Sequence, residues 1–208
     1  MNNIDISYFE YRWLARLKLI SMLHIETLYS IYQWSIDSTN VLEVGTYVGG
    51  STIALSKGTK GRVYAIEPGG SFNHAQIPSS DILRDLSINL KKWKCNNVQI
   101  IKGVSEDKEV LNLLKNILST NKIDLLVLDA NGNIIEFLKQ YRQLLDNECK
   151  IVIDDYAVEG NSSGGKNLIV VSEVDTLVKE GVLSKQFING YGTYFGKINI
   201  MAIENLKC

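Results

Sequence analysis

Val41-Leu42-Glu43-Val44-Gly45-Thr46-Tyr47-Val48-Gly49-Gly50-Ser51 is the stretch that decides how this chain folds. Val41 to Val44 reads as a short apolar strand, and it runs directly into glycines. A strand that turns through glycine into a helix presents backbone N–H groups to a ligand at the helix start. Gly45 permits the tight turn, and Gly49 and Gly50 let the helix begin close to the sheet. The two common phosphate motifs are absent. A dinucleotide fingerprint needs glycine two positions after the first, where this chain has Tyr47, and a P-loop needs Gly-Lys-Ser/Thr, where it has Gly49-Gly50-Ser51.

Working outward, short β-branched or leucine-rich runs predict strands at 62–67, 97–102, 123–129 and 149–154. Helical patterns lie between and after them, near 50–58, 80–93, 106–119, 133–146 and 166–180. Such alternation implies parallel strands with helices on both faces, an α/β, Rossmann-like doubly wound sheet. Val182 to Ile203 lacks helical periodicity and reads as two strands around Asn189-Gly190-Tyr191-Gly192, a C-terminal antiparallel hairpin. Residues 4–36 look helical, with Phe9, Trp13, Leu17 and Ile20 on one face and a second helix over His24 to Ile36. We divide the chain into an N-terminal helical extension, 1–38, and a main domain, 39–208. The extension reads as a substrate lid, a homodimer contact or ordinary packing against the sheet. Glu159 to Gly165 is polar and glycine-rich and predicts a mobile loop just after a strand, on the side where open α/β sheets bind ligands.

The totals narrow the function classes. The 208 residues carry a formal net charge of -1, so no broad attraction to nucleic acid is expected. Lys91-Lys92-Trp93-Lys94 reads as the solvated end of a helix. No apolar run approaches the roughly 18 residues that span a bilayer, and Met1 to Asp5 does not resemble a secretory start. Cys95, Cys149 and Cys208 form neither a zinc spacing nor a disulfide framework. They fit reduced thiols of a cytoplasmic protein, Cys149 being a buried strand residue.

An acidic residue two before the first glycine suits a cationic ligand. S-Adenosylmethionine carries an ammonium and a sulfonium and no phosphate, and Glu43 can serve that end directly or through water. Gly45, Thr46, Tyr47, Gly49, Ser51 and Thr52 complete the expected cofactor loop. Glu67 ends the next strand, where a carboxylate can accept both ribose hydroxyls. The loop Gly103-Val104-Ser105-Glu106 follows the third strand, and Ser105 is placed to border the adenine.

Two further strands end in carboxylates: Asp129 after Ile123–Leu128, and Asp154-Asp155 after Ile151–Ile153. Carboxylates crowded at neighbouring strand ends repel one another unless a cation sits among them. Oxygen-only donors suit Mg²⁺ or a similar divalent ion. Aspartates at strand ends also cap helices and start turns, and Asp129 could touch cofactor or substrate with no metal at all.

The series of motifs resembles class I S-adenosylmethionine-dependent methyltransferases over about residues 40 to 200, and Glu43 to Ser51 is similar to the loop of catechol O-methyltransferase-like enzymes. The resemblance extends to the metal-dependent catechol and macrocin-type O-methyltransferases. It implies a seven-stranded sheet and a metal triad of Asp129, Asp154 and Asp155. It also implies a small-molecule acceptor whose hydroxyl the metal would bind and acidify. A departure accompanies it. Such enzymes often have lysine or histidine three residues after the first aspartate, where this chain has Gly132. The proton acceptor could then be Asp129 itself, or His74 in the loop beyond the second strand, although His74 reads more readily as an exposed loop residue. A non-methylating cofactor-binding protein of the same fold is the alternative, and a nicotinamide-dependent oxidoreductase a more distant one.

Overall fold

The computed structural model describes residues 7–129, 132–156, 165–189 and 191–206. Seven strands form one sheet in the order β3-β2-β1-β4-β5-β7-β6. They are β1 (Asn40–Val44), β2 (Arg62–Glu67), β3 (Val98–Lys102), β4 (Ile123–Leu128), β5 (Leu145–Ile153), β6 (Leu183–Ile188) and β7 (Tyr194–Ile198). The expected α/β, Rossmann-like doubly wound sheet with its C-terminal antiparallel hairpin is therefore present. Backbone contacts divide the chain into two compact units, Met1–Val104 and Ser105–Cys208.

In the first unit β1 pairs in parallel with β2, and β2 with β3. The connecting helices are α3 (Gly50–Gly58) and α4 (Ile82–Lys92), as parallel strands require a crossover. Val41, Leu42, Val63, Ala65 and Ile66 are buried, so these strands read as continuous apolar runs rather than alternating ones. Asp81 caps α4 by accepting the N–H of Arg84.

The predicted helical N-terminus is two helices, α1 (Tyr8–Leu17) and α2 (Ile25–Ser35). Ser7 and Glu10 make a reciprocal capping box at the start of α1. Leu14, Leu17, Leu28 and Ile31 are buried, and Trp13 meets Tyr32 edge-on with ring centroids 5.3 Å apart. Two glycines set how closely this segment lies on α3. A Cβ on Gly58 would fall 1.9 Å from Ser35 Oγ, and one on Gly50 would fall 2.4 Å from Ser21 Cβ. Tyr8, Phe9 and Leu19 are the most exposed large apolar side chains of this segment, at 78%, 80% and 76%, and Tyr11 and Met22 are exposed as well.

In the second unit β4 and β5 pair in parallel, β5 and β7 antiparallel, and β7 and β6 antiparallel. The helices are α5 (Lys108–Leu118), α6 (Ile134–Tyr141), α7 (Gly165–Lys179) and a short α8 (Ile200–Ile203). The hairpin turn is held by Asn189, whose side-chain carbonyl accepts the N–H groups of Tyr191 and Thr193, each at 3.0 Å. The predicted helix 133–146 ends earlier, at Tyr141, and a single 3-10 turn, Arg142–Leu144, leads directly into β5. Of the predicted mobile loop, residues 159–165, all but Gly165 lie outside the described residues.

Candidate functional site

In the first unit the expected cofactor loop leaves β1 at Val44. Gly45 extends the ladder by one bond, its N–H donating to Ile66 at 3.2 Å. The chain then turns through left-handed backbone at Gly45 (φ 83), Tyr47 (φ 48) and Gly49 (φ 97). Gly49 caps α3, and a Cβ there would lie 2.7 Å from Leu86 on α4. Gly49 and Gly50 are therefore required by backbone angle and by neighbours on α4 and at Ser21, more than by the sheet.

Glu67, at the end of β2 and 5% exposed, ties this loop in place. Its Oε2 accepts the Tyr47 N–H at 2.8 Å and the Thr46 hydroxyl at 3.4 Å, while Oε1 accepts the Gly69 N–H at 2.9 Å. Glu43 is buried completely, and neither carboxylate oxygen has a hydrogen-bond partner; the Thr52 hydroxyl is likewise buried and unpartnered. Burial pushes the Glu43 carboxyl up to about 7, opposed in part by the neighbouring Ser51 and Thr52 hydroxyls and reinforced by Glu67. A protonated carboxyl is the state such surroundings favour.

A strap from Pro68 to Ser80 lies beside the loop. The Tyr47 phenol donates to the Ile77 carbonyl, and the Tyr47 ring meets Phe72 edge-on at 5.9 Å. Phe72 and Ser79 exchange backbone bonds at 2.8 and 2.9 Å. His74 is half-buried within the strap, and its Nδ1 accepts the N–H groups of Gln76 and Ile77, both at 3.2 Å. Those two bonds occupy the Nδ1 lone pair within the strap. Asn89 on α4 holds the loop from a further side, donating to the Val48 carbonyl at 2.8 Å. Sequence reasoning missed Asn89 and the strap's contact with Tyr47.

In the second unit Ser105 is buried; its hydroxyl donates to Glu106 at 3.0 Å, and its carbonyl accepts the Tyr141 phenol at 2.7 Å. Leu128 and Ile153 are in register on β4 and β5, so Asp129 and Asp154 follow at neighbouring strand ends. Asp154 donates its N–H to Leu128, and its Oδ1 accepts the Thr193 hydroxyl at 2.7 Å. Asp155 sits in left-handed backbone at φ 60. Among the described residues no three or more His, Cys, Asp or Glu side chains are grouped to hold a metal ion. The donor chemistry of Asp129, Asp154 and Asp155 suits a hard divalent cation, but their present arrangement does not form its cage.

Gly132 has φ 101, and a Cβ there would lie 3.1 Å from Ile169 on α7. A lysine or histidine at this position would have to adopt strained backbone against that helix. Asn133 starts α6 without a side-chain cap, and Glu173 on α7 supplies one by accepting the Ile134 N–H at 2.9 Å. Tyr156 donates its phenol to Asp175 at 2.8 Å; burial and that carboxylate push the phenol up to about 12.

No family model matches the chain. It is 29% identical over 182 residues to a β-ketoacyl-[acyl-carrier-protein] synthase III of Campylobacter fetus, covering 80% of this chain and 53% of that one. The chain thus spans about half the length of the curated relative it matches. Solved structures resemble it over nearly all of its length. A candidate caffeoyl-CoA O-methyltransferase from Staphylococcus aureus matches with TM-score 0.65 and 20% identity, covering 93% of each chain. The O-methyltransferase of Bacillus cereus in complex with S-adenosylhomocysteine matches with TM-score 0.63 and 17% identity, over 95% of this chain and 94% of that one. The O-methyltransferase TomG of Streptomyces achromogenes, in complex with S-adenosylmethionine, matches with TM-score 0.65 and 14% identity, over 95% and 92%. The fold is that of these S-adenosylmethionine-dependent O-methyltransferases.

Proposed function

We propose that this protein is an S-adenosylmethionine-dependent methyltransferase acting on a hydroxyl of a small molecule. The observation that carries the reading is Glu67, which ends β2 and grips the Tyr47 N–H of the loop leaving β1. The ribose-binding carboxylate and the cofactor loop expected from sequence thus form one hydrogen-bonded unit, on a fold shared with the cofactor-bound enzymes above. Glu43, Gly45, Thr46, Tyr47, Gly49, Ser51, Thr52 and Glu67 would hold the methionine and ribose parts, and Ser105 would border the adenine. Transfer is a direct displacement: the acceptor oxygen forms a bond to the methyl carbon as the carbon–sulfur bond breaks. Rate comes from positioning and from removing the hydroxyl proton. Asp129 is our assignment for that proton, with His74 the rival. Incubation with methyl-labelled S-adenosylmethionine and a panel of catechols, sugars and natural-product scaffolds tests the activity; labelled ether product is expected.

Mg²⁺ assistance through Asp129, Asp154 and Asp155 is a separate part of the proposal. The ion would acidify and orient the acceptor hydroxyl, and its support is the adjacency of two of these strand ends. Full turnover in a chelator would remove it. A cytoplasmic enzyme without nucleic-acid partners fits the charge balance, and no described helix is long and apolar enough to cross a membrane. The N-terminal extension, 1–38, would serve the domain 39–208 as lid or homodimer contact, with Tyr8 and Phe9 as its exposed face.

A second reading, a non-methylating S-adenosylmethionine-binding protein, is favoured by Gly132, whose backbone leaves no place for the usual base. Tight cofactor binding without transfer to any acceptor would support it. Thioester condensation at a cysteine, which the synthase relative's name raises, needs an accessible thiolate. Cys95 and Cys149 are both buried, and burial holds the Cys149 thiol above its ordinary range.

A further inference from the structure

Glu43 is a buried acid with no cation among the groups that shift it. It is 0% exposed, and both of its oxygens lack a hydrogen-bond partner. From β2 the group of like sign, Glu67, faces it; from α3 only the hydroxyls of Ser51 and Thr52 do, and the Thr52 oxygen is itself unpartnered. An ionised carboxylate in such a place carries a large desolvation cost, which it escapes by holding a proton. Yet it lies two residues before the glycine turn that would receive a ligand bearing a fixed positive charge on sulfur. A nearby cation reverses the preference and favours the ionised form.

We propose that Glu43 holds a proton in a large share of the ligand-free molecules near neutral pH and ionises when S-adenosylmethionine arrives, so that cofactor binding expels that proton and loss of the sulfonium charge on transfer draws it back. The proposal rests on the cofactor assignment above. On binding, the carboxyl O–H bond breaks, the proton passes to solvent, and the anion is left opposite the cation. On methyl transfer the sulfonium becomes a neutral thioether, and the ligand loses one positive charge. The O–H bond then re-forms with a solvent proton, and the attraction that retained the ligand weakens. Glu43 would thus bind cofactor tightly and product weakly at the same place, by changing its own charge. Affinity is linked to pH in the same sense as any group whose protonation differs between two states.

The test is isothermal titration calorimetry of the full chain at pH 7, in two buffers of different ionisation enthalpy, with S-adenosylmethionine and with S-adenosylhomocysteine. Glu43 is close to half protonated at this pH, so the native protein is expected to release about half a proton per S-adenosylmethionine. It should release clearly less with S-adenosylhomocysteine, and Glu43→Gln should release none from this site with either. Equal proton counts for the native protein and Glu43→Gln, with both binding, overturn the proposal and leave the cofactor assignment standing. Failure of the native protein to bind either ligand overturns the assignment and the proposal together. Should Glu43→Gln not fold, infrared difference spectra of the native protein decide. Loss of a buried protonated-carboxyl band on adding S-adenosylmethionine supports the proposal, and an unchanged band refutes it.

Discussion

The Glu67 carboxylate accepts the N–H of Tyr47, twenty positions earlier in the chain, at 2.8 Å, and with its other oxygen accepts the Gly69 N–H at 2.9 Å. One side chain therefore fixes the glycine loop after β1 and the root of the strap together. Both N–H groups need an acceptor, and Gln cannot offer two. Glu67→Gln turns one of these contacts into donor against donor. The expected result is a stability loss of about 1–3 kcal/mol, the cost of one buried unmatched group. Cofactor affinity should fall at least tenfold by the same logic, since 1.4 kcal/mol is a factor of ten. Urea denaturation and calorimetry with S-adenosylmethionine measure the two.

Glu43 makes the ligand-free protein sensitive to pH in a predictable direction. Its folded-state value, about 7, lies above the ordinary 4.5. The native state thus keeps its proton while the unfolded chain loses it. Stability from this group is full below pH 4.5, falls as pH rises, and is gone above about 7. The loss amounts to about 3 kcal/mol over that window. Urea midpoints between pH 5 and pH 8 should show it, and Glu43→Gln should flatten the slope.

His74 distinguishes two roles. Its Nδ1 is occupied by the Gln76 and Ile77 amides, which shape the turn that presents the Ile77 carbonyl to Tyr47. We expect His74→Ala to raise the KM for cofactor several-fold and to leave the shape of the kcat–pH profile unchanged. Loss of the acidic limb of that profile would instead make His74 the base.

Gly132 is where the usual base is missing, and restoring one should fail. Gly132→Lys forces a side chain into φ 101 with Ile169 3.1 Å from its Cβ. A destabilisation of about 1–2 kcal/mol is expected from the backbone angle and crowding, with no gain in turnover. Thermal melts and initial rates would check both halves.

The alternation of apolar runs with helical patterns was legible because strands buried on both faces contain little but Val, Ile and Leu. Boundaries were less so. β5 begins at Leu145, ahead of the predicted 149, because Asp146, Asn147 and Glu148 are polar residues in a partly exposed stretch of strand and read as a turn. Glu43 and Glu67 stood out as candidate site residues, since each stands at or next to the end of an apolar strand. Their electrostatic difference was not: one accepts backbone N–H groups while the other is buried with only the Ser51 and Thr52 hydroxyls beside it, and only the folded neighbours decide which. Asn89 and Glu173 escaped because each serves a partner about forty positions away, Val48 and Ile134. The aspartates were correctly placed at adjacent strand ends, but spacing along the chain carries no information about rotamer. Thr193, which occupies Asp154, comes from the hairpin.

The close seating of α2 on α3 limits what the N-terminal segment can do. With no room for one methyl group at Gly58 beside Ser35, or at Gly50 beside Ser21, residues from Ser21 onward cannot swing as a rigid flap without opening the interior. Any hinge must therefore lie before Ser21. The part these glycines leave unclamped is then α1 and the turn Lys18–Ile20, with Tyr8 and Phe9 facing outward while Leu14 and Leu17 are buried.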